Sequence, residues 1–108
     1  MKSLDFFTHR LQDYLDELKE FTAIETPTGD LINLERAAVF LTKRLAGVGN
    51  PERCDLQDHG PLLRLRRSGT GSRVLLLAHY DTVWPVGSWQ NLWHINNGRA
   101  YAPGIFDM

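Results

Sequence analysis

The chain has 108 residues, of which 43% are hydrophobic and 23% are charged, a balance typical of one small folded domain rather than of a disordered segment. The formal net charge of −1 at pH 7 offers no basic surface for nucleic acid or for an anionic membrane. No run approaches the ~18 consecutive apolar residues of a membrane span, and residues 1–20 carry charges throughout instead of the apolar core of a secretory signal. We therefore expect a cytoplasmic protein whose partners include neither nucleic acid nor a membrane.

Two helices are predicted in the first half of the chain. An apolar residue recurs at every third or fourth position through residues 3–21, which predicts an amphipathic helix with the face Leu4, Phe7, Leu11, Tyr14, Leu15, Leu18 and Phe21. The loop 24–30 (IETPTGD) interrupts this pattern, and either Thr28 or Asp30 can cap a second helix. That helix would end near Gly47, and its apolar face would comprise Leu31, Leu34, Ala38, Leu41 and Leu45.

Strands are predicted in the second half of the chain. Residues 52–57 (ERCDLQ) form a short candidate, and residues 61–67 (PLLRLRR) alternate leucine with arginine as a half-exposed strand does. Residues 73–79 (RVLLLAH) are apolar on both faces, which is typical of a central strand. We expect residues 73–78 to be the most buried strand of the chain.

A hairpin is predicted after that strand, in residues 92–102, with a tight turn at Asn97 and Gly98. Two helices followed by strands, one of them strongly apolar, indicate the α/β class. Cys54 is the only cysteine, which excludes a disulfide within the chain and a cage of thiolates around a metal ion. Any metal ion bound here would therefore need histidine and carboxylate ligands.

His79 and Asp81 lie where the apolar strand ends. Ligands of open α/β sheets bind beyond the carboxyl ends of the strands, and residues two apart in an extended chain point the same way. A carboxylate beside an imidazole fixes the tautomer of the ring and strengthens it as a metal ligand. The alternative is a histidine exposed to water and an aspartate that caps the next turn. The His-x-Asp pattern by itself leaves both interpretations open.

A second element follows in residues 101–108 (YAPGIFDM), where Pro103 and Gly104 predict a tight bend before Asp107. By itself, an aspartate after such a bend is typical of a turn or a cap. Between the two elements lie Trp84, Trp89 and Trp93, which either pack a loop against the sheet or form a wall of a substrate pocket.

Taken together, "AHYDTV" and the Asp of "YAPGIFDM", in this order and at this spacing, resemble the two early motifs of a zinc metallopeptidase family. That family comprises glutamate carboxypeptidase, acetylornithine deacetylase, succinyl-diaminopimelate desuccinylase and aminoacylase. The upstream "ETPTGD" also resembles the Pro-Ser/Thr-Gly loop of the family, and "VWPVG" is most similar to the glutamate carboxypeptidase branch. The resemblance implies a partial three-layer α/β/α catalytic domain, with two N-terminal helices before a mixed sheet.

The resemblance also implies roles for three residues. His79 would ligate one of two zinc ions, Asp107 would bridge both ions, and Asp81 would be the catalytic-site carboxylate that orients His79. Cobalt or manganese could substitute for zinc. The implied reaction is hydrolysis of an amide next to a free carboxylate, with a small peptide or an N-acyl amino acid as substrate.

The family also needs a Glu-Glu pair, a further acidic ligand and a late histidine, all normally downstream of the second motif. No two glutamates of this chain are adjacent. We therefore expect residues 1–108 to be the N-terminal part of a catalytic domain, without the lid or dimerisation domain through which the parent would form a homodimer. The isolated chain should be inactive, and some of its apolar surface should be uncovered. The alternative is a non-catalytic α/β binding or interaction module in which His79 and Asp107 are structural.

Overall fold

The computed structural model describes residues 2–106, in which the helices precede the strands. The helices are α1 (Lys2–His9), α2 (Leu11–Thr22) and α3 (Leu31–Leu45). The strands are β1 (Glu52–Cys54), β2 (Leu62–Arg64), β3 (His94–Asn96) and β4 (Arg99–Tyr101). The predicted combination of helices and strands is therefore confirmed at this coarse level. None of the helices within residues 2–106 has the length and hydropathy needed to cross a membrane.

The single helix predicted for residues 3–21 is instead divided at Arg10, so that prediction is wrong in its continuity. The backbone of Arg10 has φ −106° and ψ 3°, and its amide donates to the carbonyl of Phe7 at 3.1 Å. Apolar side chains of α1 such as Leu4 and Phe7 are 68% and 56% exposed. Most helical stability in proteins comes from packing, and α1 packs too little of its apolar face to hold one straight helix through Arg10.

Helix α3 begins at the cap that the sequence offers. The Asp30 carboxylate accepts hydrogen bonds from the backbone amide of Asn33 at 3.1 Å and from its side-chain amide at 2.8 Å. Of the two predicted caps, Asp30 therefore serves α3, and the hydroxyl of Thr28 is left for another partner.

The buried core lies along α3, where Leu34, Ala37 and Ala38 are almost fully covered. On one side α3 meets α2, because the rings of Phe21 and Phe40 stack with centroids 5.3 Å apart. On another side, it meets the β1–β2 hairpin through paired hydrogen bonds from Arg53 to Glu35, at 2.6 and 2.7 Å. Helix α3 thus contacts both α2 and the β1–β2 hairpin.

The strands form two separate antiparallel pairs. Strand β1 pairs with β2 in the register Arg53 opposite Leu63, and β3 pairs with β4 in the register Ile95 opposite Ala100. Asn97 and Gly98 join β3 to β4 with φ values of 50° and 71°. Two successive positive φ values match a type I′ turn, so the predicted hairpin is confirmed.

The predicted central strand is the main correction. Residues 73–78 belong to no strand, and Val74, Leu75, Leu76 and Leu77 are 80–90% exposed. The expectation that this segment is the most buried strand is therefore wrong for this structure. The predicted mixed sheet is likewise absent from residues 2–106, where the only link beyond the two hairpins is a single parallel bridge between Pro27 and Thr82. An apolar run becomes a buried strand only when neighbouring strands pair with it, and the described residues supply none.

Candidate functional site

The loop before α3 and the segment after the exposed run lie side by side. The amide of Thr82 donates to the carbonyl of Thr26 at 2.7 Å, and the amide of Thr28 donates to the carbonyl of Thr82 at 2.9 Å. The buried hydroxyl of Thr26 donates to the carbonyl of Tyr80 at 2.7 Å. Residues 26–28 thus hold residues 80–82 in an extended conformation, which sets the directions of the side chains that follow.

The side chain of Tyr80 points to the opposite side of the chain from those of His79 and Asp81, and it anchors residues 80–82 to the core. Its hydroxyl donates to the carbonyl of Pro61, and partial burial raises the pKa of the Tyr80 phenol. Gly60 permits this approach, because a Cβ there would come within 3.0 Å of both the Tyr80 oxygen and the Leu34 side chain. Side chains alternate along an extended chain, so with Tyr80 turned to the core, His79 and Asp81 share the other side.

The His79 ring and the Asp81 carboxylate are in contact. His79 Nδ1 lies 3.1 Å from Asp81 Oδ1 and 3.0 Å from the Asp81 carbonyl oxygen. Both oxygens are acceptors, so the hydrogen-bond network assigns the ring proton to Nδ1. In the neutral ring the lone pair then resides on Nε2, the atom that would bind a metal ion. The Nδ1–Oδ1 distance lies within the range of about 2.6–3.2 Å that a hydrogen bond between heavy atoms spans.

The other oxygen of Asp81 is also engaged. The hydroxyl of Thr28 donates to Asp81 Oδ2 at 2.6 Å. This hydrogen bond, helped by the one from His79 and opposed by partial burial, lowers the pKa of the Asp81 carboxyl below its ordinary value. Asp81 is therefore an anion at neutral pH, which suits its role as acceptor for the imidazole N–H.

The turn of the second motif packs against the first motif. Ala102 and Pro103 are buried, and Gly104 has φ 75°. A Cβ on Gly104 would lie only 2.5 Å from the Thr82 methyl group, so the turn needs glycine both for its conformation and for this close approach. The two sequence motifs therefore meet at Thr82. Asp107 lies outside the described residues, and its predicted convergence with His79 stays a prediction.

The loop after the first motif folds back on the loop before α3. The amide of Gly87 donates to the Glu25 carboxylate at 2.9 Å, and the rings of Trp84 and Trp89 meet edge to face at 5.3 Å. The indole N–H of Trp89 is buried without a hydrogen-bond partner within residues 2–106. These contacts fit a loop that packs against its neighbours, and they leave open the alternative of a pocket wall.

Sequence reasoning named His79 and Asp81 but missed the link from Thr28 to Asp81. The only signal was the resemblance of "ETPTGD" to a family loop, since the two residues are far apart in the chain. The type of ligand suits zinc, because His79 offers an imidazole nitrogen whose ring is oriented by Asp81. These residues do not make a closed site: a zinc ion takes about four ligands, and residues 2–106 contain no group of three or more histidine, cysteine or acidic side chains placed to hold a metal.

The chain was also compared with known proteins. Searches against protein-family models, curated proteins and solved structures found no match. Function is therefore inferred from the residues and from the contacts described above.

Proposed function

We propose that this chain is the N-terminal part of the catalytic domain of a cytoplasmic, zinc-dependent metallopeptidase or amidohydrolase, similar to the glutamate carboxypeptidase branch. The observation that supports it best is the arrangement of the first motif. Asp81 accepts a hydrogen bond from Nδ1 of His79, and the turn of the second motif lies against the same segment at Thr82. In many zinc sites, a carboxylate accepts a hydrogen bond from the ring nitrogen of the histidine that does not bind the metal.

Each residue then has a defined task. His79 would bind zinc through Nε2, and Asp107 would bridge two zinc ions. Asp81 keeps the Nδ1 proton in place and makes the ring a stronger ligand. Bound zinc would supply an activated water and polarise the carbonyl of an amide next to a free carboxylate. The general base and the remaining ligands of the family pattern are not among residues 1–108, so on this proposal the chain by itself lacks the proton transfer that hydrolysis requires.

The exposed apolar run agrees with this proposal. A segment that is apolar on both faces needs a strand at each edge and a packed layer on each face. Residues 73–78 have none of these among the described residues, and their leucines face solvent. A catalytic domain that continues beyond this segment would supply such neighbours, and the three-layer arrangement belongs to that proposed larger domain.

A second candidate function is a non-catalytic binding or interaction module. It is favoured by the absence of a third potential metal ligand near His79 and Asp81 within residues 2–106. In that case the contact between the side chains of His79 and Asp81 would only stabilise the chain after the apolar run.

An activity assay with a matched histidine control separates the two candidates. The protein is the longer chain in which residues 1–108 are followed by the rest of a catalytic domain, and the substrates are a dipeptide and an N-acyl amino acid. We expect hydrolysis that a chelator abolishes and that zinc restores. His79→Ala and Asp107→Ala should each remove it, whereas His59→Ala, in an exposed turn, should not. Activity that survives both the chelator and His79→Ala would overturn the proposal, and so would a longer chain with no activity on either substrate.

A further inference from the structure

The Thr28 hydroxyl has two oxygens within reach, and its geometry selects one of them. Asp81 Oδ2 lies at 2.6 Å, whereas the carbonyl of Thr82 lies at 3.3 Å and already accepts the Thr28 amide at 2.9 Å. A hydroxyl has a single proton to donate, and a distance of about 2.5–2.7 Å is typical of an O–H donor on an ionised carboxylate. The proton of Thr28 is therefore given to Asp81.

This hydrogen bond restricts the terminal torsion of the Asp81 side chain, which sets the position of Oδ1 relative to the His79 ring. The terminal torsion of an aspartate is broad, so a carboxylate held by one oxygen can still rotate. Here Oδ1 faces His79 Nδ1 and Oδ2 faces Thr28. With both oxygens engaged, Oδ1 stays in the plane where it accepts the ring proton.

Thr28 is itself fixed by its surroundings. Its amide is bonded to Thr82, and the preceding Pro27 forms the parallel bridge to the same residue. A β-branched side chain also has a stiff χ1 torsion. The hydroxyl is not needed for the helix that follows, since Asp30 caps α3. Among residues 2–106, the side-chain group that accepts from this hydroxyl is the Asp81 carboxylate, and the contact to the Thr82 carbonyl is longer.

We propose that Thr28 is a positioning residue: its hydroxyl orients the Asp81 carboxylate, which in turn keeps His79 in the tautomer with the proton on Nδ1 and the lone pair on Nε2. This inference deepens the proposed function, on which its relevance to metal binding rests. The hydrogen-bond relay runs from Thr28 through Asp81 to His79 and joins the loop before α3 to the metal-ligand candidate.

The relay is tested by NMR on the metal-free 108-residue chain with ¹³C,¹⁵N-labelled histidine, at a pH about 1.5 units above the ordinary histidine pKa of about 6.5. The ring nitrogen shifts distinguish the two neutral tautomers, and the spectrum of His79→Gln identifies the His79 signals. Sedimented samples read by solid-state NMR give the same shifts if the chain associates. We expect the Nδ1–H tautomer to dominate in the wild type and in Thr28→Ser.

In Thr28→Val, which keeps the shape and loses the hydroxyl, we expect the ratio of Nδ1–H to Nε2–H tautomer to fall at least about fivefold, a change of about 1 kcal/mol. Asp81→Asn should lower it at least as far, because the strong acceptor is gone. Thr8→Val removes a threonine hydroxyl bonded to the Leu4 carbonyl in α1, and should leave the ratio unchanged. A wild-type ratio in Thr28→Val, or a Thr28→Ser variant that behaves like valine, would overturn the inference.

A zinc titration of the same samples separates this inference from the proposed function. The tautomer ratio of His79 could change in Thr28→Val while His79 of the wild-type chain shows no response to zinc. That result would support the relay and count against the metallopeptidase proposal. A His79 that binds zinc while its tautomer ignores Thr28→Val would support the metal site and overturn the relay. Circular dichroism of each variant checks that the helices are retained, so that a changed ratio reports on the relay and not on unfolding.

Discussion

Two adjacent stretches of the chain, residues 73–78 and residues 79–82, differ sharply in how they are held. The first is exposed and outside any strand, whereas the second is bonded to residues 26–28 and to Pro61. Both were predicted from the same sequence pattern, an apolar run that ends in a polar pair. The polar pair forms through contacts that the described chain already contains. The apolar run is paired with no strand of the described residues, so its burial would require neighbours that residues 2–106 do not supply.

Burial of the exposed run, residues 73–78, would be strongly favourable because of the hydrophobic effect. Fully burying a valine or leucine side chain is worth about 1.5–3 kcal/mol, and four such side chains lie in a row from Val74 to Leu77. An exposed apolar segment outside any strand also offers backbone groups for pairing with another chain. We therefore expect the isolated chain to associate through residues 73–78, while residues 79–82 keep their local structure.

The largest effect on stability is expected at the contact between the two motifs. Gly104→Ala would add a Cβ 2.5 Å from the Thr82 methyl group at a positive φ, so we expect a loss of about 2–4 kcal/mol in the free energy of unfolding. Gly98→Ala is the control, because its φ is also positive but no atom lies within 4 Å of the added Cβ. It should cost only about 1–2 kcal/mol. Equal losses in urea unfolding of the two variants would show that the motifs do not meet at Thr82.

A smaller loss is expected when the anchor of the second stretch is removed. Tyr80→Phe deletes the hydrogen bond to the Pro61 carbonyl and leaves that buried residue with an unsatisfied oxygen, so we expect a loss of about 1–2 kcal/mol. Tyr14→Phe is the matched control, because Tyr14 is exposed in α2. If urea unfolding gives the same midpoint for both variants, the segment is not anchored through Tyr80.

The first stretch should tolerate a charge that the second would not. Leu76 is 90% exposed, so Leu76→Lys should change the free energy of unfolding of the isolated chain by no more than about 0.5 kcal/mol. The same change should reduce association of the chain, because a lysine opposes pairing of extended segments. Light scattering measures the association, and Ile32→Lys, at an exposed site on α3, is the control. A large loss of stability in Leu76→Lys would mean that the run is buried after all.

The smallest effect concerns the surface ion pair between Glu35 of α3 and Arg53 of β1. The hydrogen bonds from Arg53 lower the pKa of the Glu35 carboxyl in the folded chain. A lowered folded pKa gives stability that is present above the ordinary glutamate pKa of about 4.3 and is lost as pH falls through the lower folded value. Glu35→Gln should therefore be slightly less stable than the wild type at pH 7, and the difference should vanish in acid. A difference that grows as the pH falls would contradict this assignment.

The sequence predicted those features that depend on near neighbours along the chain. The hairpin follows from Asn97 and Gly98, whose backbone preferences suit its turn, and the contact of His79 with Asp81 follows from a spacing of two in an extended chain. The partner of Thr28 was not predictable from local pattern, because Asp81 lies far along the chain. The exposure of residues 73–78 could not be predicted either. An apolar pattern indicates that a segment needs neighbouring strands, but it does not show whether the described chain provides them.

We propose that His79 is a metal ligand whose lone pair is on Nε2 because Asp81 accepts a hydrogen bond from Nδ1. The most direct test is to add zinc to the ¹⁵N-histidine-labelled 108-residue chain and follow each ring nitrogen of His79, His59 and His94. We predict that zinc binds weakly, with the largest shift at Nε2 of His79 and little change at its Nδ1, and that Asp81→Asn weakens the response. Zinc shifts confined to His59 or His94, or a response at Nδ1 of His79 in place of Nε2, would contradict the account.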